Sequence, residues 1–185
     1  MSRYLVTGCA GFLGSHLAEA LLRRGDDVVG VDAFTDYYPR SVKEANIEEA
    51  QKQPCLSFVE LDLAEGALAP LVAEVDGVFH LAAQPGVRGS WGDSFAVYVR
   101  DNILATQRLL EAVVPLRTRV LFASSSSIYG DAEAYPTAED TRPRPLSPYG
   151  VTKLACEHLI GAYGREFGLD AVVVRYSARI NGFER

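Results

Sequence analysis

The chain has 185 residues, 48% of them hydrophobic and 23% charged, a balance that suits one globular domain with a sizeable core. Eighteen basic against twenty-four acidic side chains give a net charge of −6, which speaks against the basic surface that nucleic acid or an anionic membrane would require. Cys9, Cys55 and Cys156 are far apart and odd in number, which speaks against a disulfide framework or a zinc site, so no metal is expected. The chain opens directly into a predicted strand and has no apolar run long enough to span a bilayer. Neither a signal peptide nor a membrane span is therefore expected, and a cytoplasmic location is.

Taken in chain order, an apolar run at 4–6 predicts a buried strand, and Thr7-Gly8-Cys9-Ala10-Gly11-Phe12-Leu13-Gly14 carries it into a helix predicted over 12–24. Gly8 suits a tight turn, Gly11 the close approach of a pyrophosphate, and Gly14 the packing of helix on strand. The helix start at Phe12 and Leu13 offers unpaired N–H groups and a positive dipole end to phosphates. A second strand, at 27–31, ends on Asp32, eighteen residues after Gly14. A carboxylate there hydrogen-bonds the adenosine ribose hydroxyls and repels a 2′-phosphate, so NAD is expected over NADP. Phe34 follows in the cofactor-binding set, ahead of a helix predicted over about 42–52.

The third strand, 56–61, leads to Asp62, placed either to receive the adenine amino group or as a loop carboxylate, with Leu63 beside it. The fourth, 77–81, leads into Leu81-Ala82-Ala83, small and apolar as backbone beside a dinucleotide should be. A long helix is predicted over 95–114, a fifth strand over 119–123, a helix over 149–167 and a sixth strand over 171–175. Apolar residues at Leu13, Leu17, Leu21 and at Leu104, Leu109, Val113 recur at helical spacing. The proline-rich stretch 136–148 reads as a surface loop. Six strands alternating with helices imply an α/β fold with a doubly wound parallel (Rossmann) sheet, whose strands all end at one ligand-binding edge. Residues 1–176 are expected to form the dinucleotide-binding domain. Residues 177–185 are expected to be the start of a truncated or atypical substrate region, most of a C-terminal substrate domain being absent from the chain.

Ser124-Ser125-Ser126-Ser127 ends the fifth strand, and Tyr149-Gly150-Val151-Thr152-Lys153 opens the helix that follows. Tyr149 and Lys153 are four residues apart and share one helix face. A phenol titrates near ~10 in water. A lysine ammonium one turn away and an oxidised nicotinamide ring are expected to favour the phenolate and lower that value. Serine, tyrosine and lysine together form a proton-transfer set for oxidising an alcohol beside NAD.

Thr7 to Gly14, His80-Leu81-Ala82-Ala83-Gln84, Asp101-Asn102, Ser124 to Gly130, Ser147 to Lys153 and Val174-Arg175-Tyr176 are the stretches by which the chain resembles the extended short-chain dehydrogenase/reductase family. Within it, the chain is most similar to the NAD-dependent nucleotide-sugar epimerase branch. The resemblance implies Tyr149 as base, Lys153 as its electrostatic partner and nicotinamide-ribose contact, and Ser125, four residues before Tyr129, as the third member. Ser126 is the neighbouring alternative, and Ser125, Ser126 and Tyr149 are expected against the substrate. Tyr176 completes the expected cofactor set.

The family's 4,6-dehydratases carry an Asp-Glu pair after the catalytic serine or threonine, and its decarboxylases a glutamate at the second of those positions. Ser126 and Ser127 fit neither, whereas a 4-epimerase needs no additional acid. Asp32 to Tyr38 followed by Lys43 is similar to UDP-glucuronate 4-epimerases, with Lys43 reaching the adenosine ribose region. Gln84-Pro85-Gly86-Val87-Arg88 resembles their substrate-side loop, where Arg88 is either an anion contact or a solvated loop cation. Tyr149 to Lys153 is closer to UDP-glucose epimerases. The expected activity is 4-epimerisation of a UDP-sugar, UDP-glucuronate to UDP-galacturonate, through a transient 4-keto intermediate. UDP-glucose 4-epimerisation, another redox reaction on a nucleotide sugar, and a non-catalytic NAD-binding module stay open.

His16 and His158 are expected at the surface or in packing, His80 as a satisfied core histidine, and Trp91 in the core or walling a sugar pocket. Asn102 is expected to tie two strand ends together. Its helix and the one bearing Tyr149 are expected to form a homodimer four-helix bundle, as the resemblance implies.

Overall fold

A computed structural model describes residues 1–131 and 136–177 of the chain. Its strands are β1 (Arg3–Thr7), β2 (Asp27–Asp32), β3 (Leu56–Glu60), β4 (Gly77–His80), β5 (Arg119–Ser125) and β6 (Ala171–Tyr176). They build a six-stranded sheet in the order β3-β2-β1-β4-β5-β6, with every neighbouring pair parallel. This is the expected Rossmann-like α/β fold. The chain runs outward from β1 to β3 and returns to the other side of β1 for β4, so a crevice opens where the order reverses. Of the expected 177–185 region, only Ser177 lies among the described residues.

The helices are α1 (Phe12–Arg24), α2 (Arg40–Gln51), the single turn α3 (Ala69–Val72), α4 (Phe95–Tyr98), α5 (Ala105–Val113) and α6 (Pro148–Phe167). Side chains alternate across each strand, so Leu5 and Val6 face opposite layers. Leu5, Val29, Val31, Val78, Val120 and Phe122 pack under α3, α5 and α6, meeting Leu71, Leu109, Val113 and Ile160. Val6 and Val28 face α1 through Ala18 and Leu21. Each fully buried side chain of this kind is worth about 1.5–3 kcal/mol, so a core on both faces holds the sheet edge in a fixed shape. Leu13 and Leu104 share the helical spacing but lie outside the core, exposed at 47% and 44%.

Both long helices are stopped by glycine in the left-handed region: Gly25 after α1 (φ 90°) and Gly168 after α6 (φ 69°). Ser147 caps α6 by accepting the Gly150 N–H at 3.1 Å, and Pro148 sits at its first position, where no N–H is missed. These two devices decide where the Tyr149 helix begins.

The helix predicted over 95–114 is interrupted. Val99–Leu104 is π-helical, between α4 and α5. The buried Asn102 lies in that wide turn, a common place for functional distortion. Its amide accepts the Gln84 N–H (2.7 Å) and donates to the Gln84 carbonyl (3.2 Å) and the Thr152 hydroxyl (3.0 Å). Asn102 therefore ties the loop after β4 to α6, and not two strand ends as expected. Trp91 is 59% exposed between two 3₁₀ turns, Arg88–Ser90 and Gly92–Ser94, which corrects its expected core position: these short turns leave no layer to cover it. Among the described residues no helix is long and apolar enough to cross a membrane, and no cluster of side chains has the makings of a metal site.

Replacing Asn102 by Ala strands buried partners on two elements at once. It should cost about 2 kcal/mol of stability, read as a lower urea midpoint with an unchanged slope.

Candidate active site

The C-terminal ends of β1, β2, β4 and β5 border one cleft of about 780 Å³. At its floor, the Thr7 hydroxyl accepts the backbone N–H groups of Leu81 (3.2 Å) and Ala82 (3.1 Å) and lies 2.7 Å from His80 Nδ1. With both N–H groups accepted, the hydroxyl proton goes to Nδ1, and Nε2 then donates to Thr106 at 3.0 Å. Burial, helped by the charge of Lys153, lowers the His80 pKa to about 3. The imidazole is thus a neutral structural bridge, as expected.

The glycine loop is held by its own backbone. Gly8 adopts φ +69°, and a Cβ there would stand 2.8 Å from the Ala82 nitrogen. A Cβ on Gly14 would stand 2.0 Å from the Gly8 carbonyl oxygen, so Gly14 packs against the loop itself more than against the strand. Cys9 is buried beneath the loop, and burial, then the charge of Asp32, pushes its thiol up to about 12. Gly11 caps α1 with no side-chain partner and no acid in the first turn, and Phe12, Leu13 and Gly14 line the cleft. Their free N–H groups and open approach are the chemistry a pyrophosphate needs, so the donor set fits a dinucleotide.

Asp32 ends β2 with its carboxylate accepting the N–H groups of Ala10 (3.1 Å) and Phe34 (2.8 Å). Lys43 Nζ lies 3.6 Å from the same carboxylate and donates to Thr35 at 3.3 Å. Lys43 is only 5% exposed and stands in the cleft wall. Phe34 is a correction. At φ 50° its ring turns away to meet Phe58 and lies under Arg40, so it does not line the cleft. Thr35, Tyr37, Tyr38 and Asn46 line it instead. For Thr35, Tyr37 and Tyr38 the position shortly after the β2 acid was the available signal, whereas Asn46 comes from α2. Asp62 lines the cleft with Leu63, but one of its oxygens accepts the Ala64 N–H at 2.8 Å and the other is bound by Arg100.

At the other end, Ser125, Tyr149, Lys153 and Tyr176 converge with Leu81, Ala82, Ala83 and Gln84. The Tyr149 phenol faces Ser125, whose hydroxyl accepts the Ser127 N–H at 3.1 Å. Burial raises the Tyr149 pKa, and the Ser125 hydroxyl partly offsets that rise. Lys153 is buried and donates to the Ala123 carbonyl at 2.9 Å; burial lowers its pKa to about 8. Among the chain's own groups burial dominates at Tyr149, and one of the three N–H donors of the Lys153 ammonium goes to β5 backbone. Arg88 and Ser126 lie outside the cleft lining. Arg88 is exposed at the start of a 3₁₀ turn, and the turn Ser126–Ile128 carries Ser126 past the strand end.

A family model described as the NAD dependent epimerase/dehydratase family matches residues 4–180. The chain belongs to this family. It is 44% identical over 176 residues to an uncharacterized UDP-glucose epimerase of Bacillus subtilis, covering 94% of this chain and 55% of that protein. It is 39% identical over 181 residues to the UDP-glucuronate 4-epimerase of Thermodesulfobacterium geofontis, covering 95% of this chain and 55% of the relative. Among solved structures, a UDP-glucuronic acid 4-epimerase from Bacillus cereus in complex with UDP-glucuronic acid and NAD superposes with a TM-score of 0.91 at 44% identity. That match covers 94% of this chain and 56% of the other. The chain thus spans about half the length of the curated relatives it matches.

Burial lowers the Lys153 pKa from 10.5 to about 8 in the folded chain, so between these values the unfolded chain holds the extra proton. Its contribution makes stability rise as pH climbs from about 8 to 10.5. Urea midpoints of the protein and of a Lys153→Met variant, followed across that interval, should differ by this rising component.

Proposed function

We propose that residues 1–176 are the NAD-binding and proton-transferring domain of a UDP-sugar 4-epimerase, with UDP-glucuronate as substrate and UDP-galacturonate as product. The observation that carries this is the arrangement of one cleft. A glycine loop, an uncapped helix start and Asp32 stand at one end, and Ser125, Tyr149 and Lys153 at the other. NAD binding follows from the fit of that donor set and from the family. The sugar is chosen on the resemblance of the β2 loop and on the relatives that act on UDP-glucuronate. UDP-glucose is the second reading, supported by the Bacillus subtilis relative.

When bound, NAD supplies the hydride acceptor and donor for the sugar's C4. Tyr149, as the phenolate that the Lys153 ammonium and an oxidised nicotinamide ring would favour, takes the C4 hydroxyl proton, with Ser125 beside it to hold the same hydroxyl. Burial keeps Tyr149 ready to return the proton when the 4-keto sugar is reduced on its other face. Lys153 fixes the β5 end beneath it through Ala123. Loss of water or of carbon dioxide would call for a carboxyl beside Ser125. Of the acids lining the cleft among the described residues, Asp32 is tied to backbone amides, and Asp62 and Asp101 to Arg100. Epimerisation asks for no such acid. The helices flanking the site leave Val97, Leu104 and Val151 exposed, which supports pairing of two copies through them.

With NAD and UDP-glucuronate, and with UDP-glucose in parallel, proton NMR should show inversion at C4 without net NADH. Tyr149→Phe should lower that rate by about 10²–10⁴-fold while NAD affinity is kept. Accumulation of a keto product would favour another redox reaction. NAD binding without inversion of either sugar would favour a binding module.

A further inference from the structure

Tyr149, Lys153 and Glu157 follow one another at four-residue steps, so they form a single stripe along α6. All three meet the end of β5: Tyr149 at Ser125, Lys153 at the Ala123 carbonyl, and Glu157 at Ser124, whose hydroxyl donates to its carboxylate at 2.5 Å. The first two belong to the proposed chemistry. Glu157 is two turns away from Tyr149 and its side chain is 9% exposed, yet its partners are the most elaborate of the three.

Arg175 is the reason. In the parallel register Ser124 lies beside Arg175 and Ser125 beside Tyr176. The Arg175 guanidinium donates to Glu157 through Nη2 (2.8 Å) and Nε (3.1 Å), so the carboxylate clamps a cross-strand serine–arginine pair. Its Nη1 donates to the Tyr129 hydroxyl (2.7 Å) and the Glu139 carbonyl (2.8 Å), and the guanidinium lies over the Tyr129 ring. One ion pair therefore joins α6, the ends of β5 and β6, and the segment after β5. Successive strand residues point to opposite faces, so the clamp on Ser124 bears on the height and turn of Ser125 while Glu157 and Arg175 themselves stay outside the cleft lining.

We propose that Glu157 and Arg175 are positioning residues, which act through Ser124 to hold Ser125 against Tyr149. This rests on the proton-transfer role given above to Tyr149, and its central readout does not require turnover. Ser125 lowers the Tyr149 pKa, so a displaced Ser125 lets that pKa rise. Tyr98, Tyr37 and Cys156 also face Tyr149, and none of them changes in the variants.

The test titrates Tyr149 by ultraviolet difference absorbance in the NAD-loaded protein, subtracting the Tyr149→Phe variant. It is carried out on the wild type, Glu157→Ala, Glu157→Gln and the pair Glu157→Gln with Arg175→Met. The glutamine keeps an acceptor for Ser124, and the double variant removes both charges, so a folded protein remains to be measured. The expected result is a Tyr149 titration moved to higher pH in Glu157→Ala and partly restored in Glu157→Gln. C4 inversion should fall about 10–100-fold in kcat, with KM and NAD affinity within about twofold. In the double variant the urea midpoint should recover more than kcat does. A Tyr149 titration that does not move while only the urea midpoint falls would overturn the proposal and leave a structural ion pair. If the wild type inverts neither sugar, the epimerase reading fails, and the shift of the Tyr149 titration still decides the positioning role.

Discussion

All the strands of a parallel sheet end at one edge, and polar groups gathered there beneath packed helices must find partners or destabilise the fold. Most of the local structure around the cleft answers this constraint. Thr7 takes up two backbone N–H groups of the β4 end and is itself bridged through His80 to Thr106. Asn102 closes the next gap, between the loop after β4 and the first turn of α6. Glu157 and Arg175 close the last, between β5, β6 and α6. Among the described residues no buried side-chain nitrogen or oxygen is left without a partner. A network this completely satisfied is stiff, and stiffness is what a site needs when the distances between its proton donors and acceptors set the rate.

The same edge sorts the cleft electrically. At the β2 end a carboxylate, an ammonium and the free N–H groups of α1 give a polar, charged wall suited to a ribose and a pyrophosphate. At the β5 end the groups are buried, and burial raises Tyr149 and lowers Lys153. Proton transfer to and from a sugar hydroxyl belongs in the second environment, where a phenol and a hydroxyl are closely matched. Among the described residues no carboxylate is bound to Ser125, which follows the same division, since an acid there would add a negative charge at the buried end of the cleft.

The strands and the glycine loop were legible because their signals are local. An apolar run bounded by turn residues, and glycines at Gly8, Gly11 and Gly14, carry their meaning within a few positions. The stripe of Tyr149 and Lys153 was legible for the same reason. What failed depended on rotation about single bonds or on distant partners. Phe34 looked like a cofactor contact by its place after Asp32, but a positive φ turned its ring into the α2 side of the core. Ser126 stands in the expected order along the chain, and a short 3₁₀ turn takes it out of the cleft, while the exposed Arg88 takes the second of the two places open to it, on a loop. Asn102 sits in a π-helical turn that no periodicity announces, and its partners are 18 and 50 residues away.

From the sequence alone came the fold class, the order of strands and helices, the cofactor loop with its acid, and the serine–tyrosine–lysine set. Each is written in residue type and spacing along a single element. Only the tertiary structure decided which of those residues share the cleft, that Lys153 donates to β5 backbone, and that Glu157 and Arg175 clamp the strand bearing Ser125. These are contacts between elements far apart in the chain. They depend on how α6 settles across β5 and β6, which is set by burial and hydrogen bonding summed over the whole domain and by no local pattern.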